Sequence, residues 1–228
     1  MCILTIIQAR LSSTRAPGKV MRKVSGKPVL GFMIESLGQC REPFDLVVAT
    51  SSEPEDDAIA DYCTATGVAC VRGDLNDVAG RYAAVLAQFP ADAFVRLCGD
   101  SPFLDHRLVD RAIDLFRVGE QDIVTNVHPR SFPAGQSVEV IGTNSFLDGL
   151  GRMTEASDRE HVTPYFYRHA GRYTIVNFAA QRNLSSVRLT VDSEKDFANF
   201  VSTVMRMTKP HWSYSYEDVL ALSTGVLA

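Results

Sequence analysis

The strongest constraint on the fold lies at the start of the chain. The apolar run Ile3–Ile7 gives way at once to QARLSSTRAPGK, residues 8–19. A β-branched run that ends in a polar loop punctuated by Pro and Gly is how an α/β protein presents a ligand loop at the carboxyl end of a strand. Arg10, Arg15 and Lys19 put three cations in this loop, spaced by Ser12, Ser13, Thr14 and Gly18. Cations, hydroxyls and backbone N–H groups in one short loop suit a polyphosphate better than a neutral ligand. The competing reading is a solvated basic loop.

A chain of 228 residues can form one large α/β domain, or one domain with a sizeable insertion. The formal net charge of -4 argues against a general nucleic-acid binder, so any basic site is local. No apolar run approaches the roughly 18 residues needed to span a bilayer, and no membrane partner is expected. The chain starts directly into a strand, so no secretory signal is expected. Cys2, Cys40, Cys63, Cys70 and Cys98 are odd in number and form no CxxC pair. That pattern fits a reducing cytoplasm better than a disulfide framework or a zinc site.

Strand patterns occur at Cys2–Ile7, Leu46–Thr50, Val68–Val71, Ala93–Cys98 and Asp122–Asn126. Helical patterns near Val29–Gly38, Glu55–Thr64, Asp77–Phe89 and Arg107–Phe116 alternate with them. This alternation predicts βαβ units and a mostly parallel sheet. After Asn126 the rhythm changes. Strands are expected at Ser137–Gly142 and Tyr173–Phe178, around a helix over Asp158–Arg168. Residues 128–183 therefore read as an excursion from the core sheet, of the kind that forms a lid or a dimer contact. Alternation returns with a strand at Val187–Val191 and a helix at Glu194–Met207, and a short last helix covers Ser215–Ser223.

Asp100 follows one predicted strand in CGDSPF, and Asp192 follows another in TVDSEKDF. Open α/β sheets bind ligands at such carboxyl ends. Mg²⁺ takes one or two carboxylates and completes its shell with phosphate oxygens and water, so the pair reads as a metal–triphosphate site. Taken singly, Asp100 reads equally as the start of a turn and Asp192 as a helix cap. Arg72, at the end of the third strand, has the fork to read a nucleobase. Asp77 and Arg81 read either as ligand contacts or as a surface ion pair one helical turn apart. Glu139, Arg159, His161 and Arg188 supply the cations and hydrogen-bonding groups that a sugar acid needs, and His161 reads equally as a satisfied helix-face residue.

The segments QARLSSTRAPGKV, SGKPVL, VVATS, VRGDLNDVAGRY, VRLCGDSP, SVEV, REHVTPY and LTVDSEKDF, in this order over roughly residues 1–200, resemble the cytidylyltransferase family that activates 2-keto-3-deoxy sugar acids as CMP-sugars. The likeness is closest to the branch called spore coat polysaccharide biosynthesis protein F, which is related to acylneuraminate and 3-deoxy-manno-octulosonate cytidylyltransferases. The resemblance implies a nucleotide-diphospho-sugar transferase fold, a Rossmann-like three-layer α/β/α sandwich with an inserted dimerisation and acceptor segment. It implies CTP over the first loop, with Gln8, Arg10, Ser13, Arg15 and Lys19 near the nucleotide and Arg72 by the cytosine. It also implies Mg²⁺ on Asp100 and Asp192, and a homodimer built through residues 128–183. Two departures are visible. Ala16 replaces a usual leucine, and FPAGQSVEV carries Ala134 and Ser137 where relatives usually carry aspartates, so an acceptor touching those positions would differ. Three other readings remain at this level: a nucleotidyltransferase for another acceptor or base, a glycosyltransferase lacking the second aspartate of a DxD motif, and a non-catalytic nucleotide binder.

Overall fold

Strand β1 (Ile3–Gln8) sits inside the sheet because it is mostly apolar on both faces, with burial along ILTII. The computed structural model describes residues 1–13, 16–41 and 45–224. A small hairpin of β2 (Lys23–Val24) and β3 (Lys27–Pro28) follows the basic loop and leads into α1 (Val29–Leu37). Next come β4 (Leu46–Ser51), α2 (Asp57–Thr66), β5 (Ala69–Gly73), α3 (Val78–Gln88) and β6 (Ala93–Cys98). The second half contains α4 (His106–Arg117), β7 (Ile123–Thr125), β8 (Glu139–Gly142), α5 (Thr143–Leu150), α6 (Ala156–His161), α7 (Thr163–Arg168), β9 (Ile175–Asn177), α8 (Glu194–Met205) and α9 (Tyr216–Thr224).

The main sheet has seven strands in the order β5-β4-β1-β6-β8-β7-β9. Only β8 runs against its neighbours; every other described pairing in this sheet is parallel. Alternate residues divide between two cores, as the two-residue period of a strand requires. Ile3, Ile7, Val95 and Leu97 face α1, α2 and α4, where Leu30, Ile59 and Val109 pack. Leu4, Ile6 and Phe94 face α3, α5 and α7, where Tyr82, Phe146 and Phe166 pack. The result is the expected Rossmann-like α/β/α sandwich. A third cluster joins Phe32 and Phe103 to Leu189, Val191 and Phe200, which docks α8 beside the sheet.

Three local expectations need correction. Residues 128–183 do not leave the sheet altogether: β8 lies between β6 and β7, and β9 is an outer strand. The helix read over Asp158–Arg168 is two helices, because Val162 between them has φ 65 and ψ -76. Positive φ is costly for a β-branched residue, and the complete burial of Val162 holds it there. Residues 187–191 form no strand of the sheet. They run extended against a loop, with Ala134 N–H donating to Val187 O at 2.9 Å and Leu189 N–H to Ala134 O at 2.7 Å. The apolar alternation of this segment is satisfied by the α8 cluster instead.

Gly135 makes that seating possible. Its φ is +100, and an added Cβ would lie 2.9 Å from Leu189 C and 3.0 Å from Thr190 N. Both are backbone atoms that cannot step aside cheaply. Gly135→Ala therefore combines backbone strain with a clash and is expected to cost about 1–3 kcal/mol. Urea denaturation checks this, and an unchanged midpoint would contradict it.

Candidate active site

The basic loop is built outward from a buried carboxylate. Asp56 is 1% exposed and accepts from Leu11 N–H at 2.6 Å and Ser51 N–H at 3.2 Å. It also accepts from the Ser51 hydroxyl. This pins the loop after β1 to the end of β4 and turns it over the carboxyl edge of the sheet. Gly99 permits the next approach: its N–H donates to Gln8 O at 2.8 Å, and a Cβ there would meet Ala9 Cβ at 3.0 Å.

The centre of the site is one ammonium group between two carboxylates. Lys19 Nζ lies 2.7 Å from Asp100 Oδ2 and 2.7 Å from Asp192 Oδ1. The three side chains are 10%, 23% and 13% exposed, respectively. Burial pulls the Lys19 amine toward its neutral form, but the charges and hydrogen bonds of Asp100 and Asp192 outweigh this and raise its pKa above the ordinary lysine value. Asp192 Oδ2 accepts in turn from Arg188 Nη1 at 2.7 Å and the Thr190 hydroxyl at 2.9 Å. The cap of α8 is Ser193, whose hydroxyl accepts from Asp196 N–H at 3.2 Å. Asp192 therefore serves the cluster and not the helix.

A cleft of about 410 Å³ opens beside this cluster. Among the described residues its lining carries Arg10, Lys19, Arg81 and Arg96 against Asp100 and Asp192. That excess of cations suits a polyanion. Gln8, Ser13 and His161 also face it. Arg81 is 2% exposed, and its Nη1 donates to Leu75 O at 2.9 Å while Nε is buried without a partner. Burial lowers its pKa.

Arg96 was not legible as a site residue. It sits mid-strand in β6 and pairs with Glu139 of β8, Nη1 to Oε2 at 2.5 Å, with side chains 12% and 3% exposed. Burial disfavours the Arg96 charge, and Glu139, with smaller contributions from Tyr82 and Cys98, raises its pKa overall. Glu139 also accepts from the Tyr167 hydroxyl, which lies 3.0 Å from Thr125 Oγ1. Arg96 Nη2 donates to Gln8 Oε1 at 3.3 Å, and the Tyr82 hydroxyl donates to the same oxygen at 3.1 Å. A guanidinium only donates, so Gln8 must turn its carbonyl oxygen to Arg96, leaving its NH₂ as the group a ligand can meet. Cys98 stands next along β6, and burial pushes its thiol up to about 11. The available signal was a lone arginine in the otherwise apolar strand AFVRLC. Asp56 gave no signal beyond being one acid in EPEDD.

The remaining expected residues are placed as follows. Arg15 lies outside the described residues. Arg72 does not line the cleft: Nε donates to Ser51 O and Nη2 to Glu53 O, each at 2.8 Å, and Nη1 pairs with Asp57 at 2.7 Å. Asp77 caps α3 by accepting from Gly80 N–H at 2.8 Å and pairs with Arg159 at 2.7 Å. Arg10 pairs with Glu160 at 3.2 Å, so α6 is tied to both the basic loop and the start of α3. Glu139 lies behind Arg96 and not on the cleft surface. Arg188 borders an adjoining hollow of about 220 Å³ with Phe103 and Asn199.

A family model described as cytidylyltransferase matches residues 4–221. The chain belongs to the cytidylyltransferase family. It is 31% identical over 203 residues to the spore coat polysaccharide biosynthesis protein SpsF of Bacillus subtilis, across 86% of this chain and 83% of that protein. It is 33% identical over 181 residues to a 3-deoxy-manno-octulosonate cytidylyltransferase of Chlorobium chlorochromatii, across 75% of this chain and 71% of that protein. A solved cytidylyltransferase from Leptospira borgpetersenii superposes with a TM-score of 0.93 at 29% identity, across 99% of this chain and 94% of that one. This cytidylyltransferase is a nucleotidyltransferase of the CMP-sugar type.

The donor set of the cytidylyltransferase cluster fits a hard divalent cation. Two carboxylate oxygens already share one positive charge at equal distance, and such an ion takes one or two carboxylates with phosphate and water completing its shell. Among the described residues no three His, Cys, Asp or Glu side chains converge on a metal position. The protein's share would therefore be this pair.

The Glu139–Arg96 pair makes a stability test. Glu139→Gln leaves a buried cation without its anion and is expected to cost about 3–5 kcal/mol. Removing both charges as Arg96→Met/Glu139→Met should recover most of that loss, because both desolvation costs disappear. Chemical denaturation of the three proteins checks this, and a double variant no better than the single one would contradict it.

Proposed function

We propose that this cytidylyltransferase transfers CMP from CTP to a 2-keto-3-deoxy sugar acid and releases pyrophosphate, with Mg²⁺ as its cation. The observation that carries the reading is the Lys19–Asp100–Asp192 cluster on the wall of a cation-rich cleft. The acceptor's anomeric hydroxyl oxygen attacks the α-phosphorus of CTP, and the bond from that phosphorus to the bridging oxygen breaks. The negative charge that develops on pyrophosphate is met by Lys19, Arg10 and Arg15, the last assigned from sequence alone. Mg²⁺ on Asp100 and Asp192 would polarise the α-phosphate and ease loss of the hydroxyl proton. Alignment of the two substrates supplies much of the remaining rate.

The strand order supports a division of labour. The first loop and Arg81 lie on the side of β1, β4 and β5, which suits the nucleotide. The Arg96–Glu139 pair joins β6 to β8 and Arg96 Nη2 donates to His161 O, while Arg188 stands on Asp192; this side suits the acceptor. In this reading Arg72 and Asp77 act through the loop and helix they hold. Glu139 and Arg159 likewise act at one remove, by fixing Arg96 and α6. The relatives' names favour an acceptor of the 2-keto-3-deoxy class and a role in surface polysaccharide synthesis. The basic loop presents a free triphosphate with cations, which favours nucleotidyl transfer over glycosyl transfer. No helix among the described residues is long and apolar enough to cross a membrane.

Pyrophosphate release with Mg²⁺, measured for each nucleoside triphosphate against a panel of 2-keto-3-deoxy sugar acids, tests the reaction. CTP with one acceptor should give release. Asp100→Ala and Asp192→Ala should each slow it on the order of hundreds-fold, as lost transition-state contacts do. Near-normal kcat in both would remove the metal assignment. A homodimer through residues 128–183 belongs to the same reading, and β9 carries the exposed Val176 within that segment. Light scattering should give twice the chain mass; a monomer would contradict the dimer.

A further inference from the structure

Lys19 stands where a divalent cation would have to sit, and it stands there with little room for anything else. All four oxygens of the carboxylate pair have partners within the protein. Asp100 Oδ2 and Asp192 Oδ1 accept from Lys19, and Asp192 Oδ2 from Arg188 and Thr190. Asp100 Oδ1 accepts from the Ser101 hydroxyl at 3.3 Å. The Lys19 side chain is 10% exposed, so bulk water does not share its position. Two anions held this way repel each other unless a cation lies between them; Arg188 meets Asp192 from one side, but the position between the carboxylates is Lys19's, and a metal ion cannot enter it while the ammonium is there.

The backbone carrying this ammonium is fixed. Lys19 N–H donates to Ala16 O at 3.3 Å, and Met21 N–H donates to Gly18 O at 3.0 Å. Only the four-carbon stem of Lys19 has to move for the charge to leave. Its destination is at hand, because the same cleft is lined by Arg10, Ser12 and Ser13 of the loop that carries it. A triphosphate gathered there offers several negative charges to the one ammonium that can turn toward it.

We propose that Lys19 is a place-holder cation: it holds Asp100 and Asp192 together and closed to divalent metal until a bound triphosphate draws the ammonium away. Lys19 is thus a positioning residue for the carboxylates before it meets the phosphates. The protein then takes up metal with the nucleotide and not ahead of it. This rests on the assignment of Asp100 and Asp192 as metal ligands in the proposed function.

The test is Mn²⁺ binding without nucleotide, followed by electron paramagnetic resonance. Wild type should bind weakly and Lys19→Met at least tenfold more tightly. Lys19→Arg should behave as wild type, and Lys19→Met/Asp192→Asn should lose the gain. Equal binding by wild type and Lys19→Met would overturn the place-holder role. If Asp100→Asn then abolishes pyrophosphate release, only the place-holder role has failed; if release survives, the metal assignment has failed with it. A second measurement needs no variant in the site. In wild type labelled with ¹⁵N-lysine, inorganic triphosphate in the presence of a chelator should shift the Lys19 side-chain resonance, while Mg²⁺ alone should leave it in place. A shift with Mg²⁺ alone, or none with triphosphate, would overturn the proposal.

Discussion

One ammonium group bridging two carboxylates organises this molecule. Lys19 comes from the loop after β1, Asp100 from the end of β6, and Asp192 from the approach to α8, 81 and 173 residues away in sequence. Each carboxylate alone would be tolerable near water. Together, at this exposure, they need a cation between them, and the fold supplies one. The contact is also what closes the carboxyl edge of the sheet. Val191 N–H donates to Asp100 O at 2.9 Å, so the backbone beside the cluster is joined as well as the side chains.

The sheet makes this contact possible by sorting residues between its faces. In β1 and β6 the residues on the face toward α1 and α4 are apolar apart from the buried Thr5. On the opposite face the apolar series ends in Gln8 and in Arg96 and Cys98, all of which line the cleft. The cleft is therefore a place where the α3 side of the core stops being filled with hydrocarbon. Glu139 is the compensation: it allows a guanidinium to lie that deep without an uncompensated charge. Helix α6 roofs the same region through two ion pairs, Arg10–Glu160 and Arg159–Asp77. Val162, held at positive φ directly after His161, sets where that roof ends.

Much of this was legible because it is local. The order of strands and helices through β6 follows from the spacing of apolar runs, and the basic loop announces itself behind β1. Asp100 and Asp192 were recognisable as a pair because each follows an extended apolar segment. What misled was equally specific. Residues 187–191 alternate as a strand does, yet their apolar side chains are buried by Phe103 and Phe200 and not by a neighbouring strand. Arg72, expected by the base, donates in this structure to the carbonyls of Ser51 and Glu53. Helix α5 was not foreseen, since TNSFLDGL has a glycine within it and few apolar positions.

The sequence by itself determined the alternating α/β order, the polyanion character of the first loop, and family membership, because each is written in contiguous residues whose types and spacing carry the signal. Only the tertiary structure decided that Lys19 lies between the two aspartates, that Arg96 and Asp56 support the site, and that β8 enters the sheet reversed between β6 and β7. Those outcomes depend on which groups share a buried space and must satisfy one another's charge and hydrogen bonds. That is a property of packing between distant segments, and no local pattern records it.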